Sequence, residues 1–334
     1  MERNMLQKVA ITLGLVMTSA VFAATFAERQ EVREFVEEMF KEHQIDQQRT
    51  MNAFNKIESS PEIIQRITTP YEALPWDKYR TLFLSEKKIT GGVKFWKEHS
   101  QTLQAAEQAF GVPAELIVAI IGVESAYGEN RGKYPVLQAL ATLAFDYPPR
   151  AKFFRNELKE YLLLTAEHKL DPLEVKGSYA GAMGSPQFIA SSYRTFAVDF
   201  DKSGNIDLIN NMKQAIGSVG NYFKVHGWQP GQEVVVKAKT SSNKYQALHV
   251  ASKNDPRPVL SFDALKLHDV IADKHNLDNN TNVSFLAFEL GNSNEYWLGL
   301  QNFYVITRYN HSSNYAMAVY QLSQAIAKLY RTNG

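Results

Sequence analysis

The chain has 334 residues, 45% of them hydrophobic and 21% charged, which is material for one large domain or two to three small ones. Its 36 Lys and Arg against 35 Asp and Glu give a formal net charge of +1, and with no long basic stripe this excludes nucleic acid as the main partner. Cysteine is absent, so there is neither a disulfide framework nor a thiol to carry a lipid anchor.

The chain opens with a short basic start containing Arg3 and Lys8, an apolar stretch VAITLGLVMTSAVF, and the small-residue site Val21-Phe22-Ala23. This is the pattern of an export signal cleaved after Ala23, and the apolar stretch is short for a spanning helix. The mature chain is therefore expected to be soluble in an exported compartment.

From Glu28 to about His43 apolar residues recur at helical spacing, with Val32, Phe35 and Met39 on a charged background, and a second helix is expected across DQQRTMNAFNKI. TTPYEALPWDKYR, with Pro70 and Pro75, reads as an irregular aromatic segment. Helical patterns resume from about Ser85 to Phe110, and GVP marks a break, with Pro113 suited to the first turn of the next helix. Further helices are expected across VLQALATLAF and RAKFFRNELKEYLLLTAEHK, then, after the Gly-rich run KGSYAGAMGSPQF, across NNMKQAIGSVGNYFKVHG, closed by Gly227. Beyond Pro230 the short segments EVVVKAK, NVSFLAFEL, EYWLGL and FYVIT suggest a small antiparallel sheet, before SNYAMAVYQLSQAIAKLY ends the chain as a helix.

Within this pattern Glu124 is out of place. It falls near the end of the apolar run ELIVAIIGVES, and if residues 113 to 125 are helical then Ile117, Ile120 and Ile121 share its face. A carboxyl group partly buried there resists ionising and can stay protonated near neutral pH, as a general acid must. The helix alone leaves open an ordinary ion pair or a side chain turned to water.

Other chemistries find less support. No HExxH pattern, GxSxG elbow, dinucleotide fingerprint or phosphate loop is present. DFDKSGNIDLIN does place Asp199, Asp201, Ser203, Asn205 and Asp207 at positions one, three, five, seven and nine of a calcium loop, with Gly204 at six. Asn210 stands at the twelfth position in place of the usual bidentate glutamate, which weakens the site, and an Asx-rich surface turn is the alternative. Tyr79, Ser178, Tyr179, Gln187, Tyr222, Tyr309, Asn310 and Tyr315 combine flat apolar faces with hydroxyl or amide groups, which suits sugar rings but also interface and core positions.

Four motifs in order, GVESAYG, SYAGAMGSPQF, AIGSVGNYFKVHGW and NFYVITRYNHSSNYAMAV, resemble the lytic murein transglycosylases of the membrane-bound B type, over nearly the whole mature chain. The resemblance implies a mainly α (α+β) fold: a lysozyme-like helical core, an extra helical domain and a small antiparallel sheet domain. It divides the chain into the export signal at 1–23, an N-terminal helical region at 24–112, the core at 113–230, a β-rich domain at 231–306, and a segment at 307–334 that completes the groove.

The activity implied is cleavage of the β-1,4 bond between N-acetylmuramic acid and N-acetylglucosamine in peptidoglycan, leaving 1,6-anhydromuramoyl ends. Glu124 would be the sole catalytic acid and then base. Most glycosidases need two carboxylates, whereas here the substrate's own 6-hydroxyl would be the nucleophile. Nearby Glu129 has no role assigned by the resemblance. Ser178 and Gln187 would hold the sugar, Tyr222, Tyr309, Asn310, Tyr315 and Tyr79 would line the groove, and Arg150 would meet stem-peptide carboxylates, a task suited to its planar donors.

No cofactor is implied beyond calcium at the loop, and the expected partners are peptidoglycan strands and other wall enzymes, in the periplasm. The chain departs from the family pattern at Ser185-Pro186, where Tyr-Gly is common, and at Gln214, which precedes Ala215 where an acidic calcium ligand is usual. A hydrolytic muramidase and a non-catalytic peptidoglycan-binding scaffold are the alternatives.

Overall fold

The computed structural model describes residues 25–69, 74–248, 255–273 and 277–332. The export signal expected at 1–23 lies outside the described residues, as do Pro70 to Ala73 of the aromatic segment.

The N-terminal helices span Gln30–His43, Gln47–Phe54 and Pro61–Ile67. The first buries Val32, Phe35, Val36 and Met39 and leaves its charged residues outside, so one apolar stripe fixes its orientation. Asp46 caps the second, its carboxylate accepting from Arg49 N at 2.9 Å. These helices share a core with Val136–Asp146 and Ala151–Glu167, through Phe35, Phe54, Leu140 and Tyr161.

A second core gathers Trp76–Thr81, Glu86–Glu98, Ser100–Phe110, Ala114–Ser125, Met212–Val225, Gln301–Tyr309 and the C-terminal helix Ser313–Thr332. Ala114–Ser125 lies at its centre, with every residue from Leu116 to Gly122 buried. The packing thus cuts across the sequence segments: residues 24–112 contribute to both cores.

Strands β1 (Tyr134–Pro135) and β2 (Lys176–Gly177) form a two-stranded ribbon. The larger sheet takes β3 (Val235–Thr240), β4 (Leu260–Ser261), β5 (Val270–Ala272), β6 (Asn282–Leu290) and β7 (Ser293–Gly299) in the order β4-β6-β7-β3-β5, all antiparallel. β6 and β7 join in a hairpin from Ser284↔Gly299 to Leu290↔Ser293, with Gly291 at φ 59° as such a tight turn requires. Alternation sends Val283 and Phe285 into a small core of the sheet's own, whereas Leu286 and Phe288 face the second helical core. There Phe288 meets the Trp76 ring at 4.9 Å, and Trp76 Nε1 donates to Glu295 Oε1 at 2.8 Å.

Three local expectations are corrected. FYVIT is not a strand: it lies in the helix Gln301–Tyr309, where Phe303, Ile306 and Thr307 recur at helical spacing and are buried with Val305. Tertiary burial overrides the β-branched preference there, and the buried Asn302 ties the helix start to Gln229 and Gln232. Part of the irregular aromatic segment is helical, at Trp76–Thr81, because Trp76 and Tyr79 share a buried face. Pro113 precedes its helix as the capping residue, with ψ of 138° outside the helical range.

Candidate active site

Glu124 is the penultimate residue of Ala114–Ser125 and is half-buried. The chain reverses immediately after it: Ala126 and Tyr127 take left-handed φ of 49° and 64°, and their amides close on Gly122 O and Ile121 O. Such conformations cost non-glycine residues about 1–2 kcal/mol each, so something must hold them. The Tyr127 ring does so, packing on Gly91, Gly92 and Gly122 while its hydroxyl donates to Lys88 O at 2.6 Å. A Cβ on Gly122 would stand 2.5 Å from Tyr127 Cε1, so glycine is needed at that contact.

Tyr315, in the first turn of the C-terminal helix and 3% exposed, donates its hydroxyl to Glu124 Oε1 at 2.5 Å. That fixes one carboxyl oxygen of Glu124. Burial first, then the Glu124 charge, pushes the Tyr315 hydroxyl well above its ordinary range, so it remains a protonated donor. The same two causes act in the same order on Tyr309, and burial likewise raises Tyr222.

The run Ser178 to Phe188 forms a compact turn against this helix end. Met183 and Phe188 exchange backbone hydrogen bonds of 2.9 and 3.1 Å, and Gln187 sits at φ 50°. Ser125 Oγ donates to Ser185 O at 2.7 Å and Tyr309 OH to Pro186 O at 2.6 Å, pinning the turn from two sides. Ser178 Oγ accepts from Ala180 N and Ala182 N at 3.2 and 3.1 Å. Gln187 Nε2 donates to Gly184 O at 2.8 Å and Arg131 O at 3.2 Å.

Tyr222 donates to Arg308 O at 2.6 Å and stacks on His226 at 4.0 Å, with Tyr309 at 4.9 Å, so its ring is packed among aromatics while its hydroxyl serves the backbone. Tyr79 is buried between Trp76 and Phe83, in the core that also holds Tyr315. Tyr179 and Asn310 are both half-buried, the first on the Ser178 turn and the second just after Tyr309. Arg150 is exposed, with its guanidinium 4.2 Å over the Phe153 ring.

Three contributors escaped the sequence reading. Ser125 and Tyr127 lie inside the GVESAYG motif but show their positioning roles only in contact. Lys88, on an amphipathic helix with no distinguishing signal, donates Nζ to Gly122 O at 2.8 Å. Burial lowers its pKa, opposed by the charges of Glu124 and Glu129. An ammonium there offsets the negative helix end that a carboxylate at Glu124 must face.

The Asp199–Asp207 loop folds on itself. Ser203 N and Gly204 N donate to the Asp199 carboxylate at 2.9 and 2.8 Å, and Gly204 has φ of 82°. Asn210 turns onto Asp207 Oδ2 at 3.1 Å instead of facing the loop interior. Hydrogen bonds from Asn211 and then Gln214 hold the Asp201 carboxyl below the usual carboxylate range. Among the described residues no group of three or more His, Cys, Asp or Glu is placed to hold a metal ion.

Comparison with known proteins follows this geometry. The family model described as "Transglycosylase SLT domain" matches residues 27–324. Membrane-bound lytic murein transglycosylase B of Escherichia coli (strain K12) is 38% identical over 320 residues, covering 90% of this chain and 84% of that protein. The crystal structure of soluble lytic transglycosylase SltB1 from Pseudomonas aeruginosa is 45% identical with a TM-score of 0.83, covering 90% of this chain and 99% of that one. The Escherichia coli lytic transglycosylase Slt35 in complex with calcium is 39% identical with a TM-score of 0.83, covering 92% and 96%.

Proposed function

The chain belongs to the transglycosylase SLT domain family and is a lytic murein transglycosylase, and from that premise we propose that Glu124 alone carries its acid and base chemistry. Glu124 would give its proton to the glycosidic oxygen between N-acetylmuramic acid and N-acetylglucosamine as the β-1,4 bond breaks. The resulting carboxylate then takes the proton of the muramoyl 6-hydroxyl as that oxygen closes on the anomeric carbon, leaving a 1,6-anhydro end. Atoms balance without water, and no metal or cofactor enters the steps.

The observation that carries this reading is the Tyr315 hydrogen bond to Glu124 Oε1 at 2.5 Å. A buried neutral phenol supports the carboxyl in both protonation states, since it can donate to the carbonyl oxygen of the acid and more strongly to the carboxylate. The Ser178–Phe188 turn would hold the sugar through Gln187 and Ser178, the Tyr222 and Tyr309 rings would form an apolar wall, and Asn310 and Tyr79 would flank it. Arg150, exposed beside Phe153, would act on the carboxylates of the peptide stem.

We place the mature enzyme in the periplasm, on peptidoglycan strands. The N-terminal export pattern supports this, and among the described residues no single helix is long and apolar enough to cross a membrane. Digestion of purified sacculi followed by mass spectrometry of the products tests the assignment. Anhydromuramoyl ends are expected from the wild type and none from Glu124→Gln, whereas reducing muramic acid ends would overturn it in favour of hydrolysis.

A further inference from the structure

The geometry points to the side-chain amide of Gln214 as an internal replacement for the cation of the Asp199–Asp207 loop, which makes this chain's loop independent of calcium. Gln214 Nε2 lies 3.1 Å from Asp199 Oδ1, 2.8 Å from Asp201 Oδ1, 2.9 Å from Ser203 Oγ and 2.5 Å from Asn205 O. These are the oxygens of loop positions one, three, five and seven, the set that converges on calcium in loops of this kind. Here they converge on an N–H donor.

The amide is held in that orientation. Gln214 Oε1 accepts from Asp207 N at 2.5 Å, so turning the amide over would set its carbonyl against two carboxylates and its NH2 against an N–H. Gln214 is 0% exposed and sits in the first turn of Met212–Val225, where Asn211 caps the helix. Asn211 Oδ1 accepts from Lys213 N at 3.0 Å while its Nδ2 donates to Asp201 Oδ2 at 2.7 Å, so cap and loop lock each other.

Two amide protons share four acceptors, and the remaining charge on Asp199 and Asp201 is met by Ser203 N, Gly204 N and Asn211 Nδ2. A calcium ion needs oxygens on every side at about 2.3–2.6 Å, and the NH2 group stands in that space. The residues present therefore do not fit the cation with which the related Slt35 structure was solved. Glutamate in place of Gln214 keeps the shape, exchanges the donor for a third carboxylate facing Asp199 and Asp201, and should restore a cation cage.

The test is thermal unfolding and isothermal titration of the full mature chain after chelator treatment, with calcium chloride as titrant and magnesium chloride as control. For the wild type, no calcium-dependent shift of the midpoint and no binding heat are expected at millimolar calcium. Gln214→Glu should show a lowered midpoint in chelator and a saturable recovery in calcium. Gln214→Met, similar in size but without the donor, should lose stability with no recovery. A saturable calcium shift in the wild type, a folded Gln214→Glu that ignores calcium, or a Gln214→Met as stable as the wild type would each overturn the inference. If Gln214→Glu folds only when refolded with calcium, that supports it.

Discussion

Tyr315→Phe isolates the contact on which the proposed mechanism turns. The substitution removes one hydroxyl and keeps a ring that is 3% exposed, so packing of the C-terminal helix on Ala114–Ser125 is preserved. What is lost is donation to Glu124 Oε1 at 2.5 Å. A hydrogen bond to a neutral acceptor contributes about 1 kcal/mol and one to a charged acceptor about 1.5–3 kcal/mol. Only the difference, about 0.5–2 kcal/mol, acts on the step in which Glu124 becomes a carboxylate, which predicts a fall in kcat/KM of roughly 2- to 30-fold. Because the carboxylate loses support, the alkaline limb of the pH–rate profile, which reports loss of the proton Glu124 must donate, should also move to higher pH. The assay is initial release of anhydro-muropeptides from sacculi across a pH series, alongside thermal unfolding to confirm the fold. Unchanged kcat/KM together with an unmoved alkaline limb would refute the idea that this phenol tunes the Glu124 carboxyl.

Glu124→Gln keeps an acceptor oxygen for Tyr315 but has no proton to give or take. Turnover should drop by about 10³-fold or more while binding of glycan strands to the protein, measured by co-sedimentation, stays largely intact. Gly122→Ala drives a methyl to 2.5 Å from Tyr127 Cε1 and 2.7 Å from its hydroxyl, so urea denaturation should report a loss of about 1–3 kcal/mol. Equal stability would show that the Tyr127 ring can move aside. Glu157, 2% exposed and hydrogen-bonded to Ser191 N at 3.0 Å and Ser191 Oγ at 2.7 Å, has its pKa raised mainly by burial. A carboxyl raised on folding stabilises the protein below its unfolded value of about 4.3, and that stability is lost as pH rises through the folded value. The midpoint of Glu157→Gln minus that of the wild type should therefore increase from acidic toward neutral pH, and a difference that stays flat or declines would contradict the assignment.

The Glu124 helix was legible because its twelve residues carry one unmistakable apolar run with a charge near its end. Helix ends with their own chemistry were legible too, such as Gly227, which closes Met212–Val225 at φ 89°. FYVIT was misread because a run of β-branched and aromatic residues looks alike whether the face it buries has period two or the helical period. The partner of Glu124 lies 191 residues away, and no spacing rule joins them. Motif resemblance could nominate Tyr315, but not that its hydroxyl meets Oε1. Lys88 was out of reach for a related reason: it acts through one atom delivered by tertiary packing, on a helix whose pattern is ordinary, and motif resemblance could single out Gln214 but not that its amide nitrogen sits among the loop oxygens.

The location of the site follows from where the two helical cores meet. Glu124 extends from the second core, while Met183 and Phe188 of the Ser178–Phe188 turn belong to the first, and Tyr309 packs against both. Three hydrogen bonds stitch this seam: Ser125 to Ser185 O, Tyr309 to Pro186 O and Tyr222 to Arg308 O. Two tyrosines that sequence similarity assigns to the substrate thus use their hydroxyls on the backbone carbonyls of Pro186 and Arg308. That leaves Tyr315 with a separate task, since its hydroxyl goes to the carboxyl itself. The seam therefore supplies position, and the buried phenol supplies a neutral donor whose hydrogen bond strengthens as Glu124 gains charge. A second carboxylate in that wall would raise the energy of the ionised Glu124 at the moment it must act as base, so a tyrosine-rich surround suits a mechanism in which one carboxyl performs both proton transfers.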